Sequence, residues 1–387
     1  MFAHIVDFMI VMPLGPQFER LLHITNQQFS LLVASYSATA GLSGFFAAFL
    51  VDRYDRKKAL LFVNTGFALG TLACALAADY HLLLLARSLT GAFGGVLTAL
   101  ILSIASDAVP LERRAKGIGT VMASFGAASV VGVPFGLLLA DKISWHAPFL
   151  ILGFLSLIVN AFILALMPSM TGHIQKTHAT PFEVLARIFG RPNARLGLTF
   201  VSMLMLGHFT IIPFIAKYMV GNVGFSELEL TYIYLIGGGC TIFFSPWVGK
   251  MADKHGRLKI FTIFGSLVII PILIITNLTP TPLWLALLIS AIFFVFSNGR
   301  MVPSTTMETA VIRPENRGSY MSIRSAVMQI TAGLASFIGG MIITEKPSVF
   351  GGEAKALVNY NYVGVIAVIF SFISLYVARK LSVEQGS

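Results

Sequence analysis

The sequence predicts an all-α integral membrane protein, with twelve transmembrane helices arranged as two six-helix, pseudo-symmetric bundles. Three observations predict it. The 387 residues are 56% hydrophobic and only 11% charged, with 32 Phe and a mean hydropathy of +0.83, more apolar surface than a soluble chain of this length can bury. Apolar runs of about 20 residues, enough to cross a hydrocarbon core as a helix, recur along the whole chain. Finally, the charged passage DRYDRKK after the second run returns as DKHGRLK after the eighth. A transmembrane barrel would instead show period-two alternation over about 10 residues.

The first run, 2–19, has neither a basic n-region nor a small-residue cleavage site, so it reads as a span rather than a removable signal. Spans follow at 27–50, 59–78, 81–107, 115–140 and 147–167, completing a first bundle over 1–167. Residues 168–194 form the longest polar stretch; within it PFEVLARIFG has helical apolar spacing and predicts a short amphipathic helix lying on the membrane face. The second bundle, 195–387, carries spans at 195–219, 227–250, 260–277, 282–307, 318–343 and 361–379. Most of the 27 Lys and Arg fall in loops on one side. Arg20, Lys142, Lys217, Lys346 and Lys355 fall on the other, and Arg87, Arg300 and Arg324 within spans. By the positive-inside rule the basic side is cytoplasmic and so are both termini. The net charge of +10 therefore reflects topology, not a nucleic-acid partner. Cys74 and Cys240 both lie inside spans and imply neither a disulfide framework nor a zinc site.

The halves repeat in further detail. SDAVPLERRAKG after span four corresponds to METAVIRPENRG after span ten, and Pro13 of span one to Pro213 of span seven. Duplicated six-span halves are the signature of secondary transporters with a midplane site between the repeats. The charged turns resemble the loop motif G-x-L-a-D-R-x-G-R-K of the major facilitator superfamily, through Leu50, Asp52, Arg53, Arg56 and Lys57, and again through Gly249, Asp253, Lys254, Gly256 and Arg257. Where the motif has a second Gly, the first copy has Asp55. RSLTGAFGG from Arg87 resembles the family's span-four motif, and VVGVPFG resembles its span-five antiporter motif, with Gly132, Pro134 and Gly136 as bending and packing residues. The G-V-P-x-G form looks most like the bacterial drug and sugar-efflux group of twelve-span proton antiporters.

That resemblance implies alternating access and a conformational latch made of Asp52, Arg53, Arg56, Asp253, Arg257 and Arg324, with Arg324 pairing Glu308 or Asp52. Ionisable residues inside spans are costly and mark function, which makes Asp7, Arg87 and His208 the proton-coupling candidates. Counting 1.5 Å per residue from the span ends leaves a vertical gap of roughly 10–15 Å between Asp7 and Arg87, too far for a direct bond. The Pro13–Pro213 register sets Gly207 opposite Asp7. Tyr36, Met12, Phe209, Tyr232, Tyr234, Asn298, Arg300 and Gln329 are the candidate cavity residues, and Arg300 favours an anionic or hydroxyl-bearing substrate. His4, Asp7 and His208 form a weak transition-metal alternative.

The expected function is proton-coupled export of a small amphipathic molecule or drug, with a sugar or organic-anion metabolite carrier as the alternative. No nucleophile–base pair or nucleotide loop argues for an enzyme. No cofactor is expected beyond the coupling proton. The expected setting is a monomer in a bacterial inner membrane, in contact with lipid and a small-molecule substrate.

Overall fold

The computed structural model describes residues 1–50, 53–108, 114–171, 181–309, 311–312, 317–350 and 355–381. The first bundle comprises α1 (Phe2–Ile10), α2 (Gly15–Leu22), α3 (Asn26–Leu50), α4 (Arg56–Ala75), α5 (Tyr80–Ala108), α6 (Arg114–Ala127), α7 (Val133–Lys142) and α8 (His146–Leu166). After α9 (Pro181–Phe189) come α10 (Pro192–Phe209), α11 (Ile212–Tyr218), α12 (Glu227–His255), α13 (Arg257–Leu267), α14 (Ile269–Ile275), α15 (Leu283–Thr309) and α16 (Arg317–Ile342). A hairpin of β1 (Thr344–Pro347) and β2 (Lys355–Val358) then precedes α17 (Tyr360–Ala378).

Among the described residues, 11 helical segments are long and apolar enough to cross a membrane. The twelfth span is α1 with α2, which misses that test because it is broken at Val11–Leu14, around Pro13. Span seven breaks at the matching place, Thr210–Ile211, before Pro213. In both, proline removes a backbone donor and crowds the preceding turn. Span five is α6 and α7 joined by a π-helical turn, Ala128–Gly132, just ahead of Pro134.

The two copies of the charged turn are built differently. In the second, Gly256 sits at φ 92°, ψ 133°, a conformation reserved for glycine. In the first, Asp55 at φ −54° caps α4 instead, accepting from the Lys57 amide at 2.8 Å and from the Met170 amide at 3.2 Å, with Ser169 also donating to it. These bonds, led by that from Ser169, hold the Asp55 carboxyl down at about 2. Asp52 and most of the repeated loops after spans four and ten lie outside the described residues.

The halves meet chiefly along α3 and α16. A Cβ on Gly41 would come within 2.9 Å of the Ala326 carbonyl, and one on Gly333 within 2.9 Å of the Ala34 carbonyl, so the two backbones nearly touch. α9 covers most of PFEVLARIFG; it buries Ile188, with Leu185 packed beside it, against Tyr320 and Ile323 of α16. The second bundle starts at Pro192, slightly ahead of the expected 195. Below, the side of the molecule bearing β1–β2 is the hairpin face, and that bearing α9 is the linker face.

Candidate functional site

In the first half, α1 turns His4 and Asp7 inward. Asp7 is fully buried; its Oδ2 accepts from Arg87 Nη1 at 2.8 Å and its Oδ1 from Thr71 Oγ1 at 3.4 Å. The Arg87 guanidinium lies 4.3 Å from the Tyr36 ring centroid. The Tyr36 hydroxyl meets His4 Nδ1 at 3.0 Å, and His4 Nε2 meets Thr98 Oγ1 at 2.8 Å. A continuous polar string thus runs through α1, α3, α4 and α5.

The gap expected between Asp7 and Arg87 is absent. Met1 and Phe2 already pack in a cluster with Ala128 and with Leu152 of the second turn of α8, so α1 starts inside the bundle rather than at its end. Asp7 consequently lies nearer the hairpin face, level with Thr71 one turn from the end of α4. Two isolated buried charges would each cost several kcal/mol, which the pairing offsets.

The second half is built otherwise. Gly207, the counterpart of Asp7, packs on α17, where a Cβ would lie 3.1 Å from the Ala367 carbonyl and 3.2 Å from Ser371 Oγ. Arg300 on α15 is 1% exposed, and its Nη1 donates to that same Ser371 Oγ at 3.0 Å. Its Nε and Nη2 have no hydrogen-bond partner, and no carboxylate pairs with it among the described residues. His208 stacks edge-on to Phe209 at 5.5 Å, and its buried Nδ1 has no partner among the described residues.

Aromatic rings join the halves: Phe8 of α1 lies 5.3 Å from Tyr36 and 6.2 Å from Phe209. Met12 is buried close by in the main core, Asn298 accepts from Ser245 Oγ at 3.1 Å, and Gln329 is half-buried. Tyr234 packs at 6.0 Å on Phe294, but Tyr232 is 45% exposed on an apolar stripe with Leu235, Ile236 and Phe243. Residues two apart on a helix point about 200° apart, so only one of these tyrosines can face inward. The metal alternative is not supported. Both His4 nitrogens and both Asp7 oxygens are engaged, and no group of three ligating side chains forms among the described residues.

Of the latch residues, Arg324 pairs with Glu308 between α16 and α15. Arg56 is buried, and its amide donates to the Met170 carbonyl at 3.1 Å. Arg53, Asp253 and Arg257 are exposed, and no ion pair among the described residues engages Asp253 or Arg257. In span five, a Cβ on Gly132 would collide with Val6, and one on Gly136 would come 2.7 Å from Ile10 Cδ1, so these glycines seat α1 against the bent helix.

A network on the hairpin face escaped the sequence reading. Lys217, read as a cation at the end of span seven, is 2% exposed inside α11, and its Nζ reaches Asn26 Oδ1 at 2.7 Å, Glu19 Oε2 at 3.1 Å and Glu345 Oε1 at 3.2 Å. Lys355 adds contacts to Glu345 at 3.1 Å and Glu19 at 3.4 Å, and Arg20 meets Glu227 at 3.2 Å. Glu19, Arg20 and Asn26 belong to the first half and the rest to the second. Burial pushes the Glu345 carboxyl up, but Lys217 and Lys355 outweigh it and hold it below its ordinary range. The residues were legible singly, as charges near span ends; only folding brings them together.

The family model described as the Major Facilitator Superfamily matches residues 1–238 and again 197–385. Among relatives in Bacillus subtilis (strain 168), the uncharacterized MFS-type transporter YbcL is 23% identical over 358 residues, covering 92% of this chain and 88% of that protein. The uncharacterized MFS-type transporter YfhI is 26% identical over 344 residues, covering 86% and 83%. Among solved structures, a bacterial homolog of the human lysosomal transporter Spinster, inward-facing and unoccupied, superposes with a TM-score of 0.78 at 16% identity over 98% of this chain and 95% of that one. Its inward-facing, occupied form gives 0.76 at 17% identity, covering 98% and 94%.

Proposed function

The chain belongs to the major facilitator superfamily and is a transporter of that type, and from its buried charges we propose that it couples proton movement to export of a small amphipathic molecule. The observation that carries the reading is the Asp7–Arg87 pair. Arginine does not release a proton in this setting, so Asp7 is the exchangeable site. Protonation of Asp7 frees Arg87 from its carboxylate, changes the charge of the string through Tyr36 and His4, and biases the rocking of α1 against the π-bent span five. The span-five motif supports antiport. The inner membrane, a monomeric state and cytoplasmic termini complete the proposal, with the linker face inside by its cations.

In this orientation the Lys217 network closes the outer side, while Asp253 and Arg257 on the inner side make no ion pair among the described residues. That supports an inward-facing state, the state in which the Spinster homolog of like fold was solved. A sugar or organic-anion carrier is the second reading, favoured by Arg300.

The test is proton flux in proteoliposomes. Asp7→Asn is expected to abolish substrate-driven proton movement while leaving binding and exchange measurable. Wild-type proton flux in that variant removes Asp7 as the coupling site.

A further inference from the structure

We propose that Arg300 receives an acidic group of the transported molecule, a carboxylate or a phosphate ester, with Ser371 beside it. The inference rests on the transporter reading above and narrows its small amphipathic molecule to an anion.

The argument is a comparison of the two halves. In the first, position 7 supplies a carboxylate that neutralises the buried Arg87. In the second, the corresponding position is Gly207, and a buried arginine arrives beside it all the same. Arg300 Nη1 and the direction of a Cβ on Gly207 converge on one atom, Ser371 Oγ, at 3.0 and 3.2 Å. So the second half keeps the cation and lacks the anion. Arg300 Nε and Nη2, His208 Nδ1 and Ser297 Oγ, one turn earlier on α15, are all buried without a partner among the described residues. A planar guanidinium with free N–H groups matches carboxylate or phosphate oxygens in a fork. Inside a membrane such a cation is retained where function uses it. Phe209, next to His208 and reaching Phe8 across the halves, offers the apolar surface for the remainder of an amphipathic anion.

The test uses the detergent-purified full chain and a melting-temperature titration with 4-phenylbutyrate and phenyl phosphate, against the shape-matched neutral 4-phenylbutyramide. Wild type is expected to show saturable stabilisation by at least one anion and none by the amide, and the two anions separate a carboxylate from a phosphate preference. Arg300→Gln is expected to weaken that anion at least tenfold, and Arg300→Lys to weaken it less. If Arg300→Gln does not fold, Ser371→Ala and Arg300→Lys carry the test through an intermediate loss. Equal stabilisation by acid and amide, no stabilisation by either anion, or undiminished affinity in these variants overturns the proposal. Asp7→Asn keeps the two readings apart. It should leave anion stabilisation intact while removing proton flux, so a loss of anion binding confined to Arg300 variants stands even if Asp7 proves not to couple protons.

Discussion

Asp7 and Arg300 are both charges in an apolar interior, and they are handled in opposite ways. Asp7 receives Arg87 and Thr71, whereas Arg300 receives one hydroxyl. Removing one partner of a buried pair strands the other, at a cost of about 3–5 kcal/mol. Asp7→Asn strands the Arg87 cation and Arg87→Leu strands the Asp7 carboxylate, so each is expected to lower the melting temperature, and the double variant by less than the two losses summed; additive losses would show that the pair contributes little. Asp55 offers a contrast at the surface. Its folded value of about 2 lies below the ordinary 3.8, so its contribution is complete above about pH 4 and is lost as the pH falls through 2. The protection of the Lys57 amide, its hydrogen-exchange rate relative to the intrinsic rate at the same pH, should be high at neutral pH, fall between pH 4 and 2, and be lost at every pH in Asp55→Ala.

The spans themselves were legible, because a run of apolar residues bounded by charges leaves the backbone little choice in lipid. Breaks inside a span were less so. Pro13 and Pro213 were readable as matching marks, but not the unwound turn beside each, since Pro246 and Pro303 sit inside helices that run on without a break. The hairpin was not legible. TEKP and KALV are four residues each, pair antiparallel, and are tied to the bundle where Asn222 holds the Leu357 amide and carbonyl at 2.8 and 2.9 Å. Depth was the weakest inference at the candidate site, since the height of Asp7 depends on where α1 begins among its neighbours, and the sequence carries no sign of that. The charged turn gives an element-level test. Gly256→Ala forces φ 92° on a residue with a Cβ and should destabilise by about 1–3 kcal/mol. Gly249→Ala, in open space within α12, should be neutral or stabilising by up to about 1 kcal/mol. Melting temperatures in the reverse order would contradict the assigned turn.

At the scale of the whole molecule, the halves are joined along α3 and α16 by close backbone contact, and on the hairpin face by buried charge. Backbone contact can slide or rock; a buried charge pair is either made or broken. Lys217→Met is expected to loosen the hairpin face. Spin labels at Leu21 and Val349, both exposed, in a chain with Cys74 and Cys240 replaced by Ser, should show a longer and broader distance distribution than in the unsubstituted background. An unchanged distribution would assign the closure to α3 and α16 alone. The same network also bears on biogenesis. Glu19 comes first in chain order and Lys217 follows, while Glu345 and Lys355 are made only after α16. Until they arrive the outer lock is incomplete, so the two bundles should enter the bilayer as loosely associated bodies and be fastened to each other only once the hairpin has been made.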